Sequence, residues 1–276
     1  LDRADPRPDV IALEGSPLAS HWPVALRESW PGAVRPPMRR YSIYGAPTVS
    51  LREPSYEAWL ATKSAHFREH MRKQRRKFEA AGGSARISTA DTLDGDIDTL
   101  MRLHAARWES LGASNLVARG ERMPAMLRDV GRALIGEDRF RLMVLEIDGE
   151  PISAHLVLAC GGEILAVNGG WDERWARLSP TVVHCLYLIE HAIEHGDRRI
   201  DLGLGEQAYK RRMADGNDPV AWVLLMVPGK RLALTTVRTT PLLARYAARD
   251  AAKRALTQAQ VDTVRSLRRR LRTRLG

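Results

Sequence analysis

The chain is 276 residues long, with 44% hydrophobic and 28% charged residues, a globular composition that excludes wholesale disorder. Its longest apolar run, Val220 to Val227, has eight residues, short of the roughly 18–20 that cross a bilayer; two cysteines, Cys160 and Cys185, are too few for a disulfide framework or a thiolate zinc site. The net charge of +10 is uneven: residues 230–276 hold 13 Lys and Arg against Asp250 and Asp262, a net of +11, and residues 1–229 hold 30 basic and 31 acidic groups, a net of −1.

No secretory signal opens the chain, and a reducing, cytoplasmic setting is expected. The chain starts at Leu1 in a Pro-rich stretch, which we read as a fragment or processed product with more sequence in front. Residues 1–54 hold nine of the 15 prolines. They predict short strands at Val10–Leu13, Arg40–Tyr44 and Thr48–Leu51 and a helical stretch near Pro17–Glu28, too little to bury a core alone. From Ser55, an N-cap residue, a helical region with Leu60, Phe67, Met71 and Phe78 on one stripe runs to Gly82-Gly83. Next come a strand at Ala85–Thr89, a helix at Ile97–Ser110 with Leu100, Leu103 and Trp108 inward, and a helix at Arg122–Leu134. Three strands follow: Arg141–Ile147, ending in the hairpin signal Asp148-Gly149; Ile152–Ala159; and Ile164–Asn168, running into Gly169-Gly170-Trp171-Asp172. Ser179-Pro180 opens a helix that stops at Gly196. A strand at Arg199–Leu202, a short helix at Glu206–Met213 and an apolar strand at Ala221–Val227 complete the body. The order β-α-α-β-β-β-α-β-α-β predicts an α+β fold: a main domain over 55–228, residues 1–54 packed on it, and a basic helical tail over 229–276.

Three motif matches carry less than they suggest. His191-Ala-Ile-Glu194-His195 fits an inverted zinc-protease pattern. Helix geometry, with Val182, Leu186, Ile189 and Ile193 as the buried face, puts His184, His191 and His195 outward, so no metal is expected. Gly203–Ala208 fits G-x-G-x-x-A but lacks the surrounding βαβ unit of a dinucleotide site. The Arg and Lys residues of Phe67–Phe78 surround their helix rather than form one face, as on a solvated surface. The tail, from Arg265 to Arg274, suits an anionic partner such as RNA, a lipid surface or an acidic protein; a lipid surface would make the protein membrane-peripheral. The tail has no aromatic residue beyond Tyr246, against a stacking platform for single strands.

One constellation points to chemistry. The helix opening at Ser179-Pro180-Thr181 offers unpaired N–H groups and a positive dipole end, and its loop adds Arg174 and Arg177, which suits a diphosphate. If the strands ending at Asn168-Gly169 and Leu202 splay apart, their facing edges can bond an amide-containing arm such as pantetheine. Just beyond lies Glu206-x-x-Tyr209-Lys210, where a phenol could protonate a departing thiolate.

The run Gly169-Gly-Trp-Asp172, Ser179-Pro180, Glu190-x-x-Ile193, Gly196, Asp201-Leu-Gly-Leu-Gly205 and Tyr209-Lys210 resembles the CelD-like (BioF-like) branch of the GNAT acyltransferase superfamily, relatives of the Fem peptidyltransferases. Arg72–Gly83 and the Leu103-His104, Arg107-Trp108, Gly112 stretch resemble it too. The resemblance implies the GNAT fold: a central mixed sheet with a V-shaped splay and helices on both faces. It further implies that residues 1–54 end a first GNAT-like half. The implied activity is acyl transfer from acetyl-CoA or another acyl-CoA, as co-substrate, to an amine by direct attack in a ternary complex. By position, Asn168, Gly169, Arg174, Arg177, Ser179 and Thr181 would hold coenzyme A and Tyr209 would be the general acid. Lys210 would neutralise developing charge or bind phosphate, and His155, Glu206 or water would accept the amine proton. The loop departs from the family pattern in having no glycine between Arg174 and Thr181. Three functions are weighed: an N-acyltransferase acting on a small amine, sugar amine or cell-envelope precursor; a Fem-like transferase using aminoacyl-tRNA; and a non-catalytic binding module.

Overall fold

The computed structural model describes residues 8–109, 120, 122–205 and 207–255. The expectations for Gly112, Glu206, the side chain of Trp108 and the tail beyond residue 255 lie outside the described residues. The chain forms two compact units, Ala46–Asn217 and the two chain ends together, Leu1–Gly45 with Asp218–Gly276.

In the larger unit, the helical region after Ser55 is two helices, α2 (Tyr56–Ala61) and α3 (Ala65–Glu79), numbered after α1 (Trp22–Glu28) of the smaller unit. Each has a serine cap: Ser55 Oγ accepts the Ala58 N–H at 3.1 Å, and Ser64 Oγ accepts that of Phe67 at 3.3 Å. The second cap is the signal that divides the region. Then follow β3 (Gly83–Ile87), α4 (Leu93–Glu109), α5 (Arg122–Leu134), β4 (Phe140–Ile147), β5 (Glu150–Cys160), β6 (Glu163–Trp171), α6 (Pro180–Glu194), β7 (Arg199–Asp201) and α7 (Ala208–Met213).

The end of β2 (Met38–Ser50) begins a mixed sheet in this unit, ordered β2-β7-β6-β5-β4-β3, with β6 and β7 parallel and the other pairs antiparallel. Side chains on β4 alternate between its faces. Leu142 and Val144 join a cluster with Leu93, Ile97 and Leu100 of α4 and Leu127 of α5. Met143 joins Trp59, Leu60, Met71, Leu186 and Ile189 on the other face, where Leu145 and Ile147 meet Phe78 and Val183. Helices therefore cover both faces, and burying each large side chain is worth about 1.5–3 kcal/mol.

The smaller unit holds β1 (Val10–Pro17), α1, the start of β2, β8 (Gly216–Met226) from residue 218 onward, and α8 (Leu232–Ala255). β8 lies between β1 and β2 and is antiparallel to β1. The strands expected at Arg40–Tyr44 and Thr48–Leu51 are the single strand β2, because Pro47 costs a strand only one ladder N–H. The basic tail is helical as far as it is described.

Candidate functional site at the parting of two strands

β6 and β7 pair over three positions only, Glu163 with Arg199, Ile164 with Ile200 and Leu165 with Asp201. β6 continues along β5 to Trp171, with a register shift between Leu156 and Val157 that leaves Val167 without an opposite residue. Such a bulge bends a strand and raises its twist, and it falls where the parallel pairing stops. β7 is only those three residues, all of them paired, so the pairing stops where β7 ends, and β6 runs on to Trp171 beyond it. There, the Gly169 N–H donates to its neighbour Asn168 Oδ1 at 2.9 Å, and the Gly169 carbonyl meets His104 Nδ1 at 3.2 Å. Since a carbonyl only accepts, that contact puts the His104 proton on Nδ1.

The glycines expected to end β6 are inside it. Gly170 is where α4 crosses: a Cβ there would lie 2.3 Å from the His104 backbone nitrogen. A Cβ on Gly169 would lie 1.4 Å from Cδ2 of His155. Both positions need the bare backbone for close approach.

β7 ends in a tight turn. Asp201 Oδ1 accepts the Gly203 N–H at 2.7 Å, and Gly203 and Gly205 have φ of 74° and 98°, which glycine adopts without strain. Gly203 and Gly205 of the G-x-G-x-x-A motif therefore serve a turn. Lys210, 6% exposed, donates through Nζ to the carbonyls of Gly203 (3.1 Å) and Leu204 (2.8 Å). Burial pushes its pKa down to about 8, against the pull of Cys185 and Asp201. Tyr209 is half-buried against the main core cluster, and burial, with Cys185 nearby, raises its phenol above the ordinary tyrosine value. Burial pushes the Cys185 thiol up to about 12, the Lys210 charge opposing.

His155, half-buried on the same face as α6, stands edge-on to His184 with ring centroids 4.2 Å apart. Burial and the nearby Lys210 charge push its pKa down to about 4, so it is neutral near pH 7. His184 does not face outward as its helix position predicts. It is 1% exposed, neither ring nitrogen has a hydrogen-bond partner, and burial, then His155, hold it well below the ordinary value. The single-faced reading of α6 fails because this helix is covered by the sheet on one side and by α2 and α3 on the other. Its buried residues, among them Val183, His184, Cys185, Leu186, Leu188 and Ile189, occupy most of the circumference, and an apolar surface all round was the available signal. His191 is half-buried and stacks on the exposed His195 at 3.9 Å. Among the described residues, no His, Cys, Asp and Glu group that could hold a metal is formed.

The structure thus gathers His155, Tyr209 and Lys210, with His184 and Cys185, on the α6 side of the parting. Asn168 faces α4; its Nδ2 is buried without a partner. Arg174 bonds Asp172 Oδ2 (2.6 Å) and Glu150 Oε1 (2.7 Å), so its charge is engaged by carboxylates. Arg177 lies over the Trp175 ring at 5.9 Å, and its carbonyl accepts from Lys77 Nζ at 2.6 Å. Ser179 precedes α6 as expected, but its hydroxyl makes no capping bond; φ of 53° and ψ of 53° give it the left-handed conformation that glycine usually takes. Its carbonyl accepts the N–H groups of Val182 (2.9 Å) and Val183 (3.2 Å), and Thr181 is half-buried in the first turn. On α3 the basic side chains are largely engaged: Arg75 pairs with Glu79 and Glu190 at 2.9 Å each, and Arg72 pairs with Glu57 at 2.8 Å.

Among curated proteins, none matches the chain. Among solved structures, FemX shares the fold with a TM-score of 0.56 at 9% identity, over 81% of this chain and 73% of that one. The C-terminal domain of a putative lysylphosphatidylglycerol synthetase from Agrobacterium fabrum shares it with a TM-score of 0.50 at 13% identity, over 75% of this chain; this chain spans 66% of that structure's length. The family described as acetyltransferase (GNAT) domain matches residues 65–211, which include the parted strands, α6 and Tyr209-Lys210. The chain belongs to this GNAT acetyltransferase family.

Proposed function

We propose that the protein transfers an acyl group from an acyl-CoA to the amine of a small molecule or sugar. The observation that carries this reading is the run of β6 beyond the end of β7, past the Val167 bulge, with a buried ammonium and a protonated phenol on the α6 side. The co-substrate's amide arm would lie along the part of β6 that runs past β7, where it would replace the Asn168 and His104 side chains on the Gly169 N–H and carbonyl. Arg177, Ser179 and Thr181 at the start of α6 would receive its phosphates, and Arg174 would join them by exchanging Asp172 and Glu150 for phosphate oxygens.

In the reaction, the amine nitrogen bonds to the thioester carbonyl carbon and the carbon–sulfur bond breaks. Tyr209 gives its proton to the leaving sulfur; burial keeps the phenol protonated at neutral pH. The amine's proton passes to neutral His155 or to water. Lys210 has three donors, two of them on carbonyls; the third serves charge developing on the carbonyl oxygen. Glu206 lies outside the described residues.

Calorimetric titration with acetyl-CoA and longer acyl-CoA thioesters is the direct test, followed by turnover with amine acceptors. Tyr209→Phe is expected to lower turnover by about 10²–10⁴-fold while leaving thioester affinity unchanged. No heat and no thermal stabilisation at millimolar thioester would refute the reading. The fold shared with FemX supports aminoacyl-tRNA as the alternative donor, and steeply salt-dependent RNA binding without thioester binding would select it.

A further inference from the structure

We propose that the outward face of α8 docks on an anionic phospholipid surface.

The inward face of α8 is fixed by contacts within its own unit. Thr235 is buried, and the Tyr246 ring lies 4.9 Å from Tyr41 and 6.0 Å from Trp222. Arg249 donates to Ser42 Oγ at 3.1 Å and to the Tyr44 hydroxyl, and Ser42 Oγ donates to Asp250 at 3.0 Å. These contacts leave one face outside. Leu234, Val237, Pro241, Arg245, Ala248 and Ala252 recur at intervals of three and four residues and are all exposed. Val237 is 69% exposed, Leu234 48% and the neighbouring Leu242 42%.

The charges point the same way. Asp250, the one acid of α8, is held inward by Ser42, whereas Arg238 and Arg245 are exposed. The outward face is therefore apolar and cationic with no negative group, and residues 256–276 add six arginines against Asp262. Leu234, Val237, Pro241 and Leu242 exposed together on one face, rather than scattered singly, mark an interaction surface. A helix lying in a headgroup layer buries them and sets its arginines against lipid phosphates. RNA is a poorer occupant: Tyr246, the aromatic residue of α8, is packed inward, and single strands need exposed rings to stack on. No described helix is long and apolar enough to cross the membrane, so the contact is interfacial.

The test uses the full chain and phosphatidylcholine vesicles with and without phosphatidylglycerol, read by co-sedimentation at rising salt. Binding is expected only to the anionic vesicles and to weaken with salt. Leu234→Ser with Val237→Ser keeps every charge and is expected to weaken binding about tenfold or more, because the lost apolar contact is what it removes. An unchanged melting temperature confirms that the double variant is folded. Three results would overturn the proposal: no binding to anionic vesicles, equal binding by the serine variant, or preferential capture of single-stranded RNA with vesicles left free. None depends on an acyl donor, so failure here is separate from failure of the enzymatic reading.

Discussion

Lys210 sits where burial and charge conflict. Its ammonium is 6% exposed and held by two carbonyls of the turn after β7; with a pKa of about 8 it is partly neutral under mildly alkaline conditions. The sign of the linkage follows. The unfolded chain keeps this proton up to about 10.4, so between pH 8 and that value the unfolded state binds more protons and stability from this group rises with pH. Lys210→Met is expected to remove that rise in urea midpoints measured across the window and to cut turnover about 10²–10³-fold. An identical rise in the variant would show that the ammonium is not the titrating group. The short helix that carries Tyr209 and Lys210 was legible from element order. The Lys210 partners were not, because they are carbonyls of a turn whose shape is set by left-handed Gly203 and Gly205.

β6 joins sequence to site most directly among the elements. Its bulge at Val167 lies just past the end of the pairing with β7, and Gly169 and Gly170 admit His155 on one face and the α4 backbone on the other. Gly170→Ala is expected to destabilise the protein by about 1–3 kcal/mol, seen as a lower urea midpoint, because the facing atoms are backbone and cannot swing aside. Wild-type stability in this variant would mean that α4 does not approach as closely as described. Gly169→Ala meets a side chain instead, and displaces the His155 ring. The sequence marks the two glycines but reads as a strand end followed by a turn. α6 shows a related limit: its period identifies a helix, but one buried face was assigned where two layers cover it, and His184 was placed outside.

At the scale of the whole molecule, acid stability is the readout of the buried histidines. His184 and His155 stay neutral in the fold well below the ordinary histidine value. As pH falls from about 6.5 the unfolded chain takes up protons there that the folded one does not, so stability drops through the interval down to about 4. Thermal midpoints are expected to fall over this range, and to fall less in His184→Leu, which removes a ring with both nitrogens unpartnered. Equal slopes would exclude His184 as a contributor. The charge asymmetry is also a property of the whole chain: a body at −1 and an end segment at +11 make salt sensitivity a property of the end segment.

The amino-acid order by itself determined the succession of helices and strands, the GNAT resemblance, the Tyr209-Lys210 pair and the charged tail, because periodicity, caps, turn residues and charge are local. Tertiary structure alone decided which faces are covered, where β6 leaves β7, and that His155, His184, Cys185 and Lys210 meet. Those outcomes depend on residues far apart in the chain competing for the same buried space, and burial sets the protonation of each.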